Sequence, residues 1–91
     1  MKLRWTESAY ADLRRLYEFL EGKNPVAAHN TVSALLGAAE KLQHQPRTGT
    51  RLDAFEGREV RRFIVAQYEL RYEISTDTAY ILRIFHGRED R

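Results

Sequence analysis

The chain has 91 residues, 15 Lys and Arg against 13 Asp and Glu, and no cysteine. That length supports one domain with a small core. The missing cysteines exclude disulfide staples and thiolate metal sites, and the evenly spread charge of +2 excludes the basic tail of a non-specific nucleic-acid binder.

No run of 18 apolar residues is present, so no membrane span is expected. Residues 1–7 lack an apolar signal-peptide region, and the simplest placement is the cytoplasm. Twelve of the fifteen cations are Arg. Their planar fork suits carboxylate or phosphate, although high-GC codon usage explains the same bias.

Residues 2–5 alternate as a short strand, with Leu3 and Trp5 on one face and Lys2 and Arg4 on the other. Thr6 is an N-cap, and Glu7 complements the positive end of the helix that follows. That helix runs to about Leu20 on an apolar stripe of Ala9, Leu13, Leu16, Tyr17 and Leu20. Asp12, Arg14, Arg15 and Glu18 fall mostly off the stripe. Gly22 ends it. Asn24 and Pro25 start a second helix in the N-cap-then-Pro pattern. It carries Ala28, Val32, Leu35, Ala39 and Leu42, widened by Leu36, and stops before Pro46. The short connection predicts an antiparallel hairpin.

Residues 46–57 read as a loop that Leu52 and Phe55 pin to the core. Strands then follow over 60–65, 68–74 and 79–86, joined by turns at 66–67 and 75–78 that imply an antiparallel meander. In the middle strand Tyr68, Leu70, Tyr72 and Ile74 face one way, against Glu69, Arg71 and Glu73 on an open face. The last strand is apolar on both sides, with Tyr80, Leu82, Ile84 and His86 against Ile81, Arg83 and Phe85; this predicts a central strand. The fold class is α+β in the order β-α-α-β-β-β: one domain over 1–91, with a helical hairpin packed on one face of a mainly antiparallel sheet.

Arg61, Arg62, Arg71, Arg83 and Arg88 lie on or beside this sheet. They form either an anion clamp or cross-strand pairs with Glu59, Glu69 and Glu73. Arg61 and Arg62 alternate, so one site cannot hold both. His86 has a residue type suited to general acid–base work, but no nucleophile or base accompanies it. His29 and His44 lack metal-ligand spacing, and no phosphate loop or hydrolase motif occurs. Tyr10, Tyr17, Tyr68, Tyr72 and Tyr80 mostly fit buried stripes, so base stacking is not expected.

Several local patterns together resemble a known family. They are Trp5-Thr6-Glu7-Ser8-Ala9 leading to Asp12-Leu13; Asn24-Pro25-x-Ala27-Ala28; Leu42-x-x-x-Pro46-x-x-Gly49 leading to Gly57-Arg58-Glu59-Val60-Arg61; Tyr68-x-Leu70-x-Tyr72; and Ile81-Leu82-Arg83-Ile84-Phe85-His86-Gly87-Arg88. Their order resembles the ParE branch of the RelE/ParE toxin superfamily, the toxins of type II toxin–antitoxin (plasmid stabilisation) modules. The resemblance implies the same two-layer fold; no cofactor and no metal are expected. It implies a hetero-oligomer with a ParD-like antitoxin, and operator DNA reached only through that antitoxin. ParE-type toxins poison DNA gyrase; RelE-type relatives are ribosome-dependent mRNA endonucleases.

The resemblance also bears on the choice of branch. The nucleases place Lys and Arg on the loop and sheet, whereas this loop and the three strands after it have no Lys. Three residues before Tyr72, where the nucleases and many ParE-like proteins carry Arg, stands Glu69. The expectation is therefore a gyrase inhibitor rather than an enzyme, with no catalytic residues. In the alternative nuclease, Arg61, Arg83 and His86 would act; a third reading is a toxin whose activity has decayed. Target binding is expected at His86, Gly87 and Arg88. Antitoxin binding is expected at Leu16, Leu20, Leu35, Leu36, Ile81 and Phe85, through a helix in a groove and a strand added to a sheet edge.

Overall fold

The computed structural model describes residues 1–87. In chain order the elements are β1 (Lys2–Trp5), α1 (Glu7–Glu21), α2 (Pro25–His44), a 3-10 turn (Pro46–Thr48), β2 (Thr50–Arg51), β3 (Glu59–Val65), β4 (Tyr68–Ser75) and β5 (Thr78–His86). One five-stranded sheet has the order β1-β5-β4-β3-β2. β1 runs parallel to β5, and the other neighbours are antiparallel. The α+β architecture is the one the sequence implies. β2 is an addition, a two-residue strand inside the expected loop.

Both helix starts follow from their caps. Thr6 Oγ1 accepts from the Ala9 N–H at 3.1 Å. Asn24 Oδ1 accepts from the Val26 and Ala27 N–H groups, with Pro25 at the first helical position. The helices cover one face of the sheet. Ala9, Leu16, Leu35, Ala39 and Leu42 pack there on Leu70, Tyr72, Ile74, Ile81 and Ile84.

The two faces of β5 depart from simple alternation. Tyr72 pairs with Ile81 but Arg71 pairs with Arg83, so Leu82 is an extra, bulged residue. Ala79 and Ile81 face the helices before it, and Ile84 and His86 face them after it. Arg83 and Phe85 thus stand on the outer face, while Ile81 is a fully buried core residue.

Three other expectations also change. Asp12 is not off the stripe: it lies three residues after Ala9 and four before Leu16, and it is buried. The outer face of β4 is not simply open, because Glu69 is fully buried. Of the five tyrosines only Tyr68 and Tyr72 are buried; Tyr10, Tyr17 and Tyr80 are exposed.

The β3–β4 hairpin turns through Ala66 (φ 52°) and Gln67 (φ 68°), a left-handed pair that matches strand twist but disfavours these side chains. The end of β5 holds this turn: the Gly87 N–H donates to the Gln67 carbonyl at 2.8 Å. A Cβ on Gly87 would stand 3.1 Å from that oxygen.

Candidate functional site

Three polar constructions surround the core. The first is a latch on the 46–49 turn. The Tyr72 hydroxyl donates to the Pro46 carbonyl at 2.6 Å and accepts from the Gly49 N–H at 3.0 Å. Arg61 Nη1 donates to the Gly49 carbonyl at 2.7 Å, and its Nε donates to Glu59. A Cβ on Gly49 would lie 2.5 Å from the Arg62 carbonyl and 2.6 Å from the Tyr72 hydroxyl, so the turn closes only over glycine. Burial raises the Tyr72 pKa, partly offset by the Gly49 N–H. Hydrogen bonding from Arg61, with help from Arg47, lowers that of Glu59 against the effect of burial.

The second construction lies where β1 stops at Trp5 and leaves the rest of β5 without a strand neighbour on that side. α1 covers this edge. Thr6 Oγ1 donates to the Leu82 carbonyl at 2.9 Å, and Asp12 Oδ2 accepts from the Ile84 N–H at 2.9 Å. Arg83 reaches Asp12 with Nε at 2.8 Å and Nη2 at 3.2 Å, and Arg15 binds the same carboxylate. Burial pushes the Asp12 pKa up; the hydrogen bonds from Arg83 and Ile84, and the charges of Arg83 and Arg15, outweigh it and hold the carboxyl below its ordinary value. Beside this contact is a groove of about 300 Å³, lined by Asp12, Arg15, Leu16, Phe19, Tyr68, Ile84 and His86. His86 meets Tyr68 edge-on, with ring centroids 5.2 Å apart.

The third is the outer face of the sheet. Arg62, Arg71 and Arg83 stand opposite one another on β3, β4 and β5. Glu69 lies beneath them, 2.7 Å from Arg71 and 3.7 Å from Arg62. Arg58 makes a two-pronged pair with Glu73, at 3.0 and 2.7 Å, that lowers the Glu73 pKa. Phe55 and Phe85 lie under the arginines, with Arg71 4.9 Å from the Phe85 ring centre. Phe55 thus pins the loop over this outer face.

The nuclease candidates are not brought together. Arg61 points to the helix side at the latch, His86 lines the groove, and Arg83 springs from the outer face and is bound to Asp12 at the groove's edge. Along β4 the partners of Arg61 and His86 are Tyr72 and Tyr68, four residues or about 13 Å apart. Of the antitoxin candidates, Leu35 and Ile81 are fully buried in the core and offer no surface. Leu20 is partly buried against the core, Leu16 lines the groove, Leu36 is exposed on α2, and Phe85 lies under the outer arginines. Of the target-binding candidates, His86 and Gly87 close β5, while Arg88 lies outside the described residues. Of the groove residues, Phe19 is not singled out by the sequence, and Asp12 and Arg15 are read there as lying off the stripe; the position of Asp12 inside the apolar stripe is the signal that marks it. Among the described residues no group of His, Asp and Glu is placed to hold a metal.

This is a two-layer α+β domain with a helical hairpin on a mixed sheet, a groove along one helix and an arginine-lined outer face. The profile described as "ParE toxin of type II toxin-antitoxin system, parDE" matches residues 3–91, and the chain belongs to this family. Toxin RelE2 of Caulobacter vibrioides is 33% identical over 83 residues, covering 91% of both chains. A solved structure of the chromosomal ParDE TA system from P. aeruginosa superposes with a TM-score of 0.78 at 24% identity, covering 94% of this chain and 95% of that one. No helix among the described residues is long and apolar enough to cross a membrane.

Proposed function

We propose that this toxin acts on DNA gyrase by binding rather than by cutting RNA, and that a ParD-like antitoxin neutralises it. The observation that carries this reading is that Arg61 sits at the latch, about 13 Å along β4 from the position of His86, while Arg83 is tied to Asp12. General acid–base cleavage needs its groups within hydrogen-bond reach of one substrate. Arg61 is bound to Gly49 and Glu59, and Arg83 to Asp12, so both are engaged in holding the fold. Glu69 adds a negative charge to the face where a phosphate would lie.

The antitoxin reading draws on the groove between α1 and β5. Its apolar floor of Leu16, Tyr68 and Ile84, with Phe19 62% exposed at its wall, suits the apolar stripe of a partner helix. The exposed Ile64, on the part of β3 that β2 leaves uncovered, suits an added strand. The name of the RelE2 relative keeps mRNA cleavage as the competing reading.

The test uses the purified chain with gyrase and, separately, with translating ribosomes. The expected outcome is blocked supercoiling or accumulated cleaved DNA, with mRNA left intact. Cleaved mRNA with unaffected gyrase would overturn the proposal in favour of the nuclease; inertness in both assays would point to a decayed toxin. Phe19→Asp is expected to weaken antitoxin capture without unfolding the chain.

A further inference from the structure

The α1 wall of the groove alternates charge and aromatic surface in a way that the core does not require. Arg15 and Phe19 line the groove, and Lys23 follows at the same four-residue spacing. Each step is about one helical turn, so the three form a single line along α1. Gly22 keeps right-handed helical angles, φ −65° and ψ −19°, and Lys23 extends the line past the last turn. Two cations about 12 Å apart thus flank one ring. Phe19 is 62% exposed, and Lys23 Nζ lies 5.0 Å from its ring centre.

The acids nearby leave both cations with donors to spare. Asp12 binds Arg15, but it already accepts two hydrogen bonds from Arg83 and one from the Ile84 N–H. Only Nη2 of Arg15 meets it, and the Arg15 side chain is 68% exposed, so the rest of the fork faces water. Glu18 sits about 60° further round the helix, toward solvent, and makes no ion pair with Arg15 among the described residues. Glu21 lies on the opposite side of α1 from Phe19 and accepts from the Tyr17 hydroxyl. Among the described residues Lys23 meets the Phe19 ring and no carboxylate.

We propose that the groove selects a helix carrying two carboxylates two turns apart with an apolar residue between them, in the pattern acid-x-x-apolar-x-x-x-acid. Two turns rise about 11 Å, which matches the span from Arg15 to Lys23. The apolar residue then meets Phe19, and the stripe beside it fills the floor of Leu16 and Ile84. Each carboxylate adds one exposed ion pair. Such a pair contributes little affinity alone, but it fixes register and rejects helices of the opposite charge pattern. Arg15 and Lys23 are thereby the residues that set which antitoxin helix is accepted. This assignment rests on the antitoxin reading of the groove and does not depend on which target the toxin poisons.

The test measures anisotropy of a fluorescein-labelled helical peptide with a Leu stripe and that acid pattern, added to the full-length chain. Its twin carries Gln in place of both acids. The acidic peptide is expected to bind about fivefold tighter than its twin, as two exposed ion pairs give, and the gap should close in about 1 M salt. Arg15→Gln and Lys23→Gln should each narrow the gap. The double variant should abolish it while the Gln peptide binds as before. Arg14→Gln, exposed on the outer side of α1, should leave it unchanged. Equal binding of the two peptides would overturn the charge rule, and weaker binding of both to Phe19→Asp would show that the groove still takes a helix. If neither peptide binds, the helix reading of the groove falls and the charge rule with it. A dimer of the chain alone that Phe19→Asp dissolves would assign this wall to a second copy and overturn the proposal as well.

Discussion

On the helix-covered face of β4, Leu70 and Tyr72 are fully buried among Leu35, Leu42 and Ile81. On the opposite face of the same strand Glu69 is equally buried, but under Arg62 and Arg71. One face removes apolar area from water, which stabilises in proportion to that area. The other takes a carboxylate out of water and recovers the loss through guanidiniums, an exchange that comes out near neutral. Equal burial therefore carries different weight: the inner face stabilises through apolar area, and the outer face through paired charges.

The sharpest way to break this contrast is a pair of substitutions. Leu35→Ala should destabilise the chain by about 3 kcal/mol, the usual cost of a cavity in a closed core. Ile64→Ser, on the outer face at 59% exposure, should change stability by less than about 0.5 kcal/mol. Urea denaturation of both variants decides it. Comparable losses would mean that the outer face is structural too.

What the sequence makes legible follows the same division. The inner face obeys regular spacing, so Ala9, Leu13 and Leu16, the stripe of α2, and Leu70 and Tyr72 are readable as core. The caps at Thr6 and Asn24 are readable because capping needs specific side chains. The outer face is not readable in this way. Glu69 is paired with Arg62, seven residues away on a neighbouring strand, and with Arg71, which in turn lies over Phe55 from the loop. The parity of β5 is lost at Leu82, because no residue type announces a bulge. The groove is hidden for a similar reason: where β1 ends relative to β5 is a matter of register, and Phe19 lies off the stripe that periodicity selects.

A second prediction concerns the latch, which ties the inner core to the 46–49 turn. Tyr72→Phe keeps the buried ring but leaves the Pro46 carbonyl and the Gly49 N–H without their partner. A loss of about 2 kcal/mol is expected, the penalty for buried polar groups left unpaired. Amide exchange at Gly49 should accelerate more than exchange in β4. If exchange rose uniformly, the hydroxyl would be supporting the whole core rather than the turn.

The smallest effect tests the polar side of the comparison through pH. Asp12, Glu59 and Glu73 all have pKa values lowered in the folded chain, against ordinary values of 3.8 for Asp12 and 4.5 for the glutamates. Above those ordinary values the carboxyls are ionised both folded and unfolded, so their contribution is fully present. As pH falls through them the unfolded chain takes up protons first, and stability declines until the folded carboxyls protonate as well. The urea midpoint should therefore stay level from neutral pH to about 5 and then fall. Asp12 should account for most of the fall, since it is buried and binds Arg83, Arg15 and the Ile84 N–H at once. Glu59 and Glu73 are less buried and are screened by water. Asp12→Asn keeps an oxygen for the Ile84 N–H but loses the charge, so it should cost about 1 kcal/mol at neutral pH and flatten the acid limb. An unchanged acid limb in that variant would mean that the contact between α1 and the β5 edge draws its strength from Leu16 and Ile84 rather than from the carboxylate.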